Sequence, residues 1–211
     1  MTERKFRLDV VVDSFTKAKQ EDGSIVLDEY VRGYDELCIF FDSLGSVFGF
    51  ITSDVRDKIG ILKHHRSNEN GKNYDMVKRM FDFEVEKNLT AAQTKPLSGS
   101  RTLLRLHRAL AFTVLFMKGL SEASDKDDSS KLAADAYNET LARYHPWLIR
   151  KAALLAMYTL DNVGDMIKKA SGGNANEEEA KKLLKEGVDA IQPVYDATEA
   201  LYTSYDLHGL P

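Results

Sequence analysis

The stretch RTLLRLHRALAFTVLFMKGL, residues 101–120, decides how the rest of the chain is read. At helical spacing Leu103, Leu106, Leu110, Val114 and Met117 fall on one face, and Phe112, Leu115 and Phe116 fall on the opposite side. A helix apolar on both sides belongs at the buried centre of a helical protein. Arg101, Arg105 and Arg108 interrupt this pattern in the first turns. On a helical wheel they lie within about 60° of one another, on the side that Phe112, Leu115 and Phe116 continue. Like charges so close repel unless an anion joins them, and a guanidinium offers a planar donor fork suited to phosphate oxygens. A phosphate site at the mouth of an apolar interior is one reading. Pairing of each arginine with a carboxylate on a neighbouring helix, Arg108 foremost, is the other.

Outward from this segment the helical repeat persists, with only 4 prolines and 13 glycines in 211 residues. Toward the N-terminus, the spacing predicts a helix over roughly residues 5–20 and a long apolar segment from Leu27 to about Lys63, bent near Gly45 or Gly49. An amphipathic helix from Tyr74 to Leu89 follows a polar loop, His64 to Gly71. Thr90 to Ser100 is a second loop. Toward the C-terminus, an acidic linker over Ser121–Ser130 precedes a short helix from Lys131 to Arg143. Pro146 suits the first turn of a helix continuing to about Lys169, which Ser171-Gly172-Gly173-Asn174 breaks. Asn176 caps a last helix whose first turn carries Glu177, Glu178 and Glu179, with Pro193 bending or dividing it. About eight helices in one all-α domain, residues 1–211, fit these signals.

Composition narrows the function. A formal charge of −4, from 29 Lys+Arg against 33 Asp+Glu, argues against a general nucleic-acid binder. A single cysteine, Cys38, excludes an intrachain disulfide and a four-cysteine zinc site, and suits a reducing compartment. No apolar run reaches the length of a membrane span, and MTERKFRLDVVVD is not a signal peptide. The expectation is a soluble cytosolic protein.

Two further constellations stand out. Asp54 and Lys58 sit one turn apart on the stripe of Leu44, Val47, Phe48, Ile51, Val55 and Leu62, where charges are costly unless paired or functional. An ordinary i,i+4 ion pair is the plainer reading. In Tyr144-His145-Pro146-Trp147, His145 shares a face with Ile149, Ala152 and Ala156, company in which a histidine is most often a satisfied core residue. Trp147, beside Arg143, Arg150 and Lys151, suits a membrane interface if exposed and the core if not. No phosphate-binding glycine loop, dinucleotide fingerprint, zinc-protease helix or nucleophile elbow occurs, and no Glu-x-x-His pair marks a di-iron bundle. No metal or other cofactor is expected.

Three motifs in order carry a family resemblance. Ser98–Leu110 resembles the central helix of the glycolipid transfer protein superfamily, Asp135–Ala152 resembles its histidine region, and Asp54-x-x-x-Lys58 matches its headgroup aspartate and lysine. The closing Asp206-Leu-His-Gly-Leu-Pro211 is also similar. The resemblance implies a two-layer all-α sandwich that encloses lipid chains and a protein that moves one sphingolipid between membranes without covalent chemistry. It implies that Asp54 accepts the ceramide N–H, that His145 donates to the ceramide carbonyl, and that Lys58, Arg101 and Arg105 bind phosphate. Arg105 takes the place of a tryptophan that stacks on sugar in the glycolipid-binding branch. The implied ligand is therefore ceramide-1-phosphate or a close phosphosphingolipid. The loop Leu89–Ser98 departs from the animal relatives in carrying Lys95 as its single cation.

Together these readings give a monomeric, non-enzymatic cytosolic transfer protein that touches membranes transiently through Trp147, Arg150 and Lys151. Transfer or sensing of another sphingolipid such as a glycolipid, a helical scaffold without ligand, and a hydrolase built on Asp54 and His145 are the alternatives.

Overall fold

The computed structural model describes residues 4–45, 48–124, 126–171 and 176–211. In chain order the α-helices are α1 (Leu8–Ala18), α2 (Leu27–Ser43), α3 (Gly49–Ser67), α4 (Val77–Glu86), α5 (Gly99–Glu122), α6 (Ser129–Thr140), α7 (Trp147–Met157), α8 (Val163–Ala170) and α9 (Glu177–Ser204). Short 3₁₀ turns at Gly71–Asn73 and Ala142–Tyr144 join α3 to α4 and α6 to α7. The doubly apolar segment lies at the centre, as its pattern requires. Helix α5 packs on α3, α4, α6, α8 and α9, and α1 packs on both α2 and α9. Leu103, Leu106, Leu110, Val114 and Met117 are buried, and so is Phe116 on the other side. Gly187 lets α9 approach closely, because a Cβ there would lie 2.6 Å from Met117 and 3.2 Å from Leu8.

The first turn of α5 is fixed by two devices. The Ser98 hydroxyl accepts from the Arg101 N–H at 3.2 Å. The buried Glu84 carboxylate of α4 accepts from the N–H groups of Gly99 (2.6 Å) and Ser100 (2.8 Å) and from the Tyr74 hydroxyl (2.9 Å). An anion at this end satisfies orphan amides and opposes the helix dipole. Helix α9 starts on a reciprocal cap between Asn176 and Glu179, as its sequence suggests.

Several boundaries differ from the sequence reading. The segment expected over Leu27–Lys63 is two helices, and α3 runs on through His64 and His65. The helix expected from Pro146 to Lys169 is broken between Met157 and Val163, where the Asn162 side chain caps α8 by accepting from Asp165 N–H at 3.0 Å. No glycine or proline announces that break. Pro193 does not divide α9. A mid-helix proline costs about 3 kcal/mol, and the burial of Leu184, Ile191, Val194 and Tyr202 along α9 outweighs it. Val47 and the break at Gly172-Gly173-Asn174 lie outside the described residues.

Candidate functional site

Helices α3 and α5 and the turn before α7 supply the candidate residues. Lys58 Nζ donates to Asp54 Oδ1 at 2.5 Å across one turn of α3. The Asp54 side chain is 68% exposed and that of Lys58 17%. Asp54 therefore faces solvent rather than the core stripe, where Leu44, Phe48, Val55 and Leu62 are buried. The pair is the ordinary i,i+4 kind in geometry, worth about 0.2–1 kcal/mol.

On α5 the arginines are half-buried and find no carboxylate among the described residues. Arg105 Nη1 donates to the Arg101 carbonyl at 2.7 Å, and Nη2 donates to the Pro211 main-chain oxygen. Arg108 Nη2 donates to the His208 carbonyl at 2.7 Å, and its guanidinium lies 3.9 Å from the centre of the Tyr144 ring. Arg101 Nε and Nη1 and Arg108 Nε are buried with no hydrogen-bond acceptor among the described residues. Burial lowers the Arg105 pKa below its usual value, and Arg101 and Arg108 push it the same way; Tyr202 and Asp54 oppose them. The set is a partly dry cationic patch with spare donors, continued along its own side of α5 by the partly buried Phe112 and Leu115 and the buried Phe116. That arrangement suits an anion attached to an apolar body.

His145 is not on a helix. It is extended (φ −107°, ψ 137°) and Pro146 is the N-cap of α7, because a residue before proline is pushed out of the helical region. Its Nδ1 lies 2.9 Å from the Tyr137 hydroxyl. Burial lowers the His145 pKa, with the Asp54 charge acting against it. Burial raises the Tyr137 pKa, which keeps the hydroxyl protonated as a donor. The charge of Asp54 thus acts on both His145 and Arg105, so residues from three parts of the chain converge.

Sequence reasoning assigned no role to Tyr137, Tyr144, Glu84 or the carbonyls of the tail. Each acts through a partner on another element, and periodicity within one helix carries no such signal. The sequence also left the place of Trp147 open. It is 64% exposed, beside exposed Leu148, Ile149, Arg150 and Lys151. Leu155 and Tyr158 extend the apolar surface along α7. A groove of about 770 Å³ is lined by Arg4, Phe6, Asp42, Arg56, Asp161 and Lys169 among others, and by none of the five headgroup candidates. Among the described residues no cluster of three His, Cys, Asp or Glu is placed to hold a metal, and no helix is long and apolar enough to cross a membrane.

Comparisons with known proteins bear on this geometry. Residues 25–172 match the family model described as glycolipid transfer protein. A ceramide-1-phosphate transfer protein of Danio rerio is 40% identical over 209 residues, covering 98% of each chain. The crystal structure of the mouse ceramide-1-phosphate transfer protein in its apo form superposes with a TM-score of 0.92 at 36% identity, covering 98% of this chain and all of that one. The human ceramide-1-phosphate transfer protein in complex with 2:0 ceramide-1-phosphate superposes with a TM-score of 0.91 at 34% identity, covering 99% and 100%. The fold is accordingly the two-layer helical sandwich that the sequence resemblance implied, and the chain belongs to the glycolipid transfer protein family.

Proposed function

We propose that this chain carries ceramide-1-phosphate, or a close phosphosphingolipid, between membranes without breaking a bond in it. The observation that carries this reading is the patch of Arg101, Arg105 and Arg108, without carboxylate partners among the described residues and with buried donors unused. The likeness to a protein crystallised with 2:0 ceramide-1-phosphate supports it. In this proposal Lys58, Arg101 and Arg105 bind the phosphate. Asp54 accepts from the ceramide amide N–H. Tyr137 donates to His145 Nδ1, which leaves the proton of the neutral imidazole on Nε2, free to donate to the ceramide carbonyl. Residues 1–211 act as one lipid-transfer domain and a monomer, cytosolic and peripheral to membranes. No catalytic residue is assigned.

Native mass spectrometry of protein mixed with vesicles carrying ceramide-1-phosphate tests the reading, with a single lipid adduct as the expected result. Absence of any adduct overturns it. The amide also separates lipid backbones. Phosphatidic acid offers the same phosphomonoester without an N–H, so the protein should transfer ceramide-1-phosphate faster. Asp54→Val should lose transfer of ceramide-based lipids. Equal rates for the two lipids in the parent protein would remove Asp54 from its role.

The exposed face of α7 is proposed as the membrane-docking surface, with Trp147 at headgroup level and Arg150 and Lys151 meeting anionic lipid. Trp147→Ala should weaken cosedimentation with anionic vesicles while leaving the melting temperature nearly unchanged, because the indole is exposed. Arg150→Gln should cost about 1 kcal/mol, roughly fivefold in partitioning. A large fall in melting temperature with normal vesicle binding would sink the docking role.

A further inference from the structure

The chain after α9 folds back over the arginines. Asp206 turns it at φ 54°, Leu207 N–H donates to the Tyr202 carbonyl at 3.0 Å, and the Leu207 side chain is buried. The His208 ring lies 3.1 Å from the Thr203 hydroxyl. These anchors present two main-chain oxygens to the cationic patch, His208 to Arg108 at 2.7 Å and Pro211 to Arg105. The tail thus meets each of these two guanidiniums with one oxygen, the Arg101 carbonyl being a second for Arg105, although each carries a donor fork of five N–H groups. A phosphomonoester brings three acceptor oxygens and about −1.5 to −2 charges near neutral pH. It outcompetes single main-chain oxygens at a site where three guanidiniums repel one another. A hydroxyl or a sugar brings no charge with which to do so.

We propose that residues 207–211 are a specificity-determining strap, whose His208 and Pro211 oxygens hold Arg108 and Arg105 until a lipid-borne phosphomonoester displaces them. The inference rests on the phosphate role given to Arg101 and Arg105 above and brings Arg108 into the same site. The strap raises the threshold for entry at the headgroup site, so that neutral sphingolipids leave it closed. The fraction of protein with the strap released sets the apparent affinity for the phosphate lipid.

Backbone hydrogen exchange of the whole chain tests this without any mutation. Spectra are compared for the free protein, for protein with vesicles carrying bare ceramide, and for protein with vesicles carrying ceramide-1-phosphate, with lipid adducts counted in the same samples. Exchange at the amides of Leu207 and Leu210 should accelerate with ceramide-1-phosphate and stay unchanged with ceramide. Unchanged or slowed exchange in protein that carries the phosphate lipid overturns the strap and leaves the proposed function standing. Absence of an adduct overturns both. Release by inorganic phosphate alone at the same concentration overturns the requirement for a lipid-borne group. As a second measurement, Leu207→Ala loosens the anchor without touching a headgroup residue. It should bind ceramide-1-phosphate about three- to tenfold more tightly, and bare ceramide, which the closed strap turns away, should gain by a similar factor; equal or weaker binding of the phosphate lipid counts against the strap.

Discussion

Arg105→Leu is expected to weaken binding of ceramide-1-phosphate by one to two decades while the protein stays folded. A hydrogen bond to a charged group contributes about 1.5–3 kcal/mol, which is that range in affinity. The fold should tolerate the change, because Arg105 makes no ion pair among the described residues and its partners are the main-chain oxygens of Arg101 and Pro211. Removing one of three mutually repelling cations also relieves strain in the empty protein, so its melting temperature should hold or rise. The measurement is transfer between vesicles together with a thermal melt. Undiminished transfer of the phosphate lipid would end the phosphate role of Arg105. Arg105→Trp sharpens the test by copying the residue of the sugar-binding branch. It should lose the phosphate lipid and gain little for glycolipid, since Lys58 and Arg101 still present cations that a sugar cannot neutralise.

Glu84→Ala is expected to be the most destabilising single change around the site. It strips the acceptor from three buried donors, the Gly99 and Ser100 amides and the Tyr74 hydroxyl. Each orphaned donor costs about 1–3 kcal/mol, so the loss should reach at least about 3 kcal/mol. For a chain of this length that lowers the melting temperature by roughly 6–12 °C. Glu84→Gln keeps one acceptor oxygen and should lie between the two. Because the carboxylate holds the turn from which Arg101 projects, lipid affinity should fall in the same order. A melting temperature for Glu84→Ala within 2 °C of the parent, on the same scale, would show that water or rearranged backbone satisfies these donors.

The fold was legible where one helix carried its own evidence. The two apolar faces of residues 101–120 announced a buried α5, and the capping residue Asn176 with its glutamates announced α9. The break between α7 and α8 was not legible, because it depends on the Asn162 side chain closing on Asp165 rather than on a residue unable to continue a helix. His145 was placed on the wrong kind of backbone for a readable reason: the constraint that proline imposes on its predecessor outweighed the apolar spacing that follows. For the candidate site, clustering on α5 exposed the arginines, and i,i+4 spacing exposed Asp54 and Lys58. The groups that hold them were invisible. Tyr137 reaches His145 across a turn, Glu84 reaches α5 from another helix, and Pro211 meets Arg105 from 106 positions away. Pairings of that kind are created by the tertiary fold and leave no period in the sequence.

The solitary indole has a spectroscopic consequence. Trp147 is the one tryptophan in 211 residues, and it stands 64% exposed at the start of α7. Excitation selective for indole therefore reports on that patch alone, with no core tryptophan to dilute the signal. An emission maximum near that of water-exposed indole belongs to the free protein, and a blue shift on adding lipid surfaces reads the polarity around this single ring. The protein carries its own optical probe at the place where contact with a bilayer is proposed, and needs no label there.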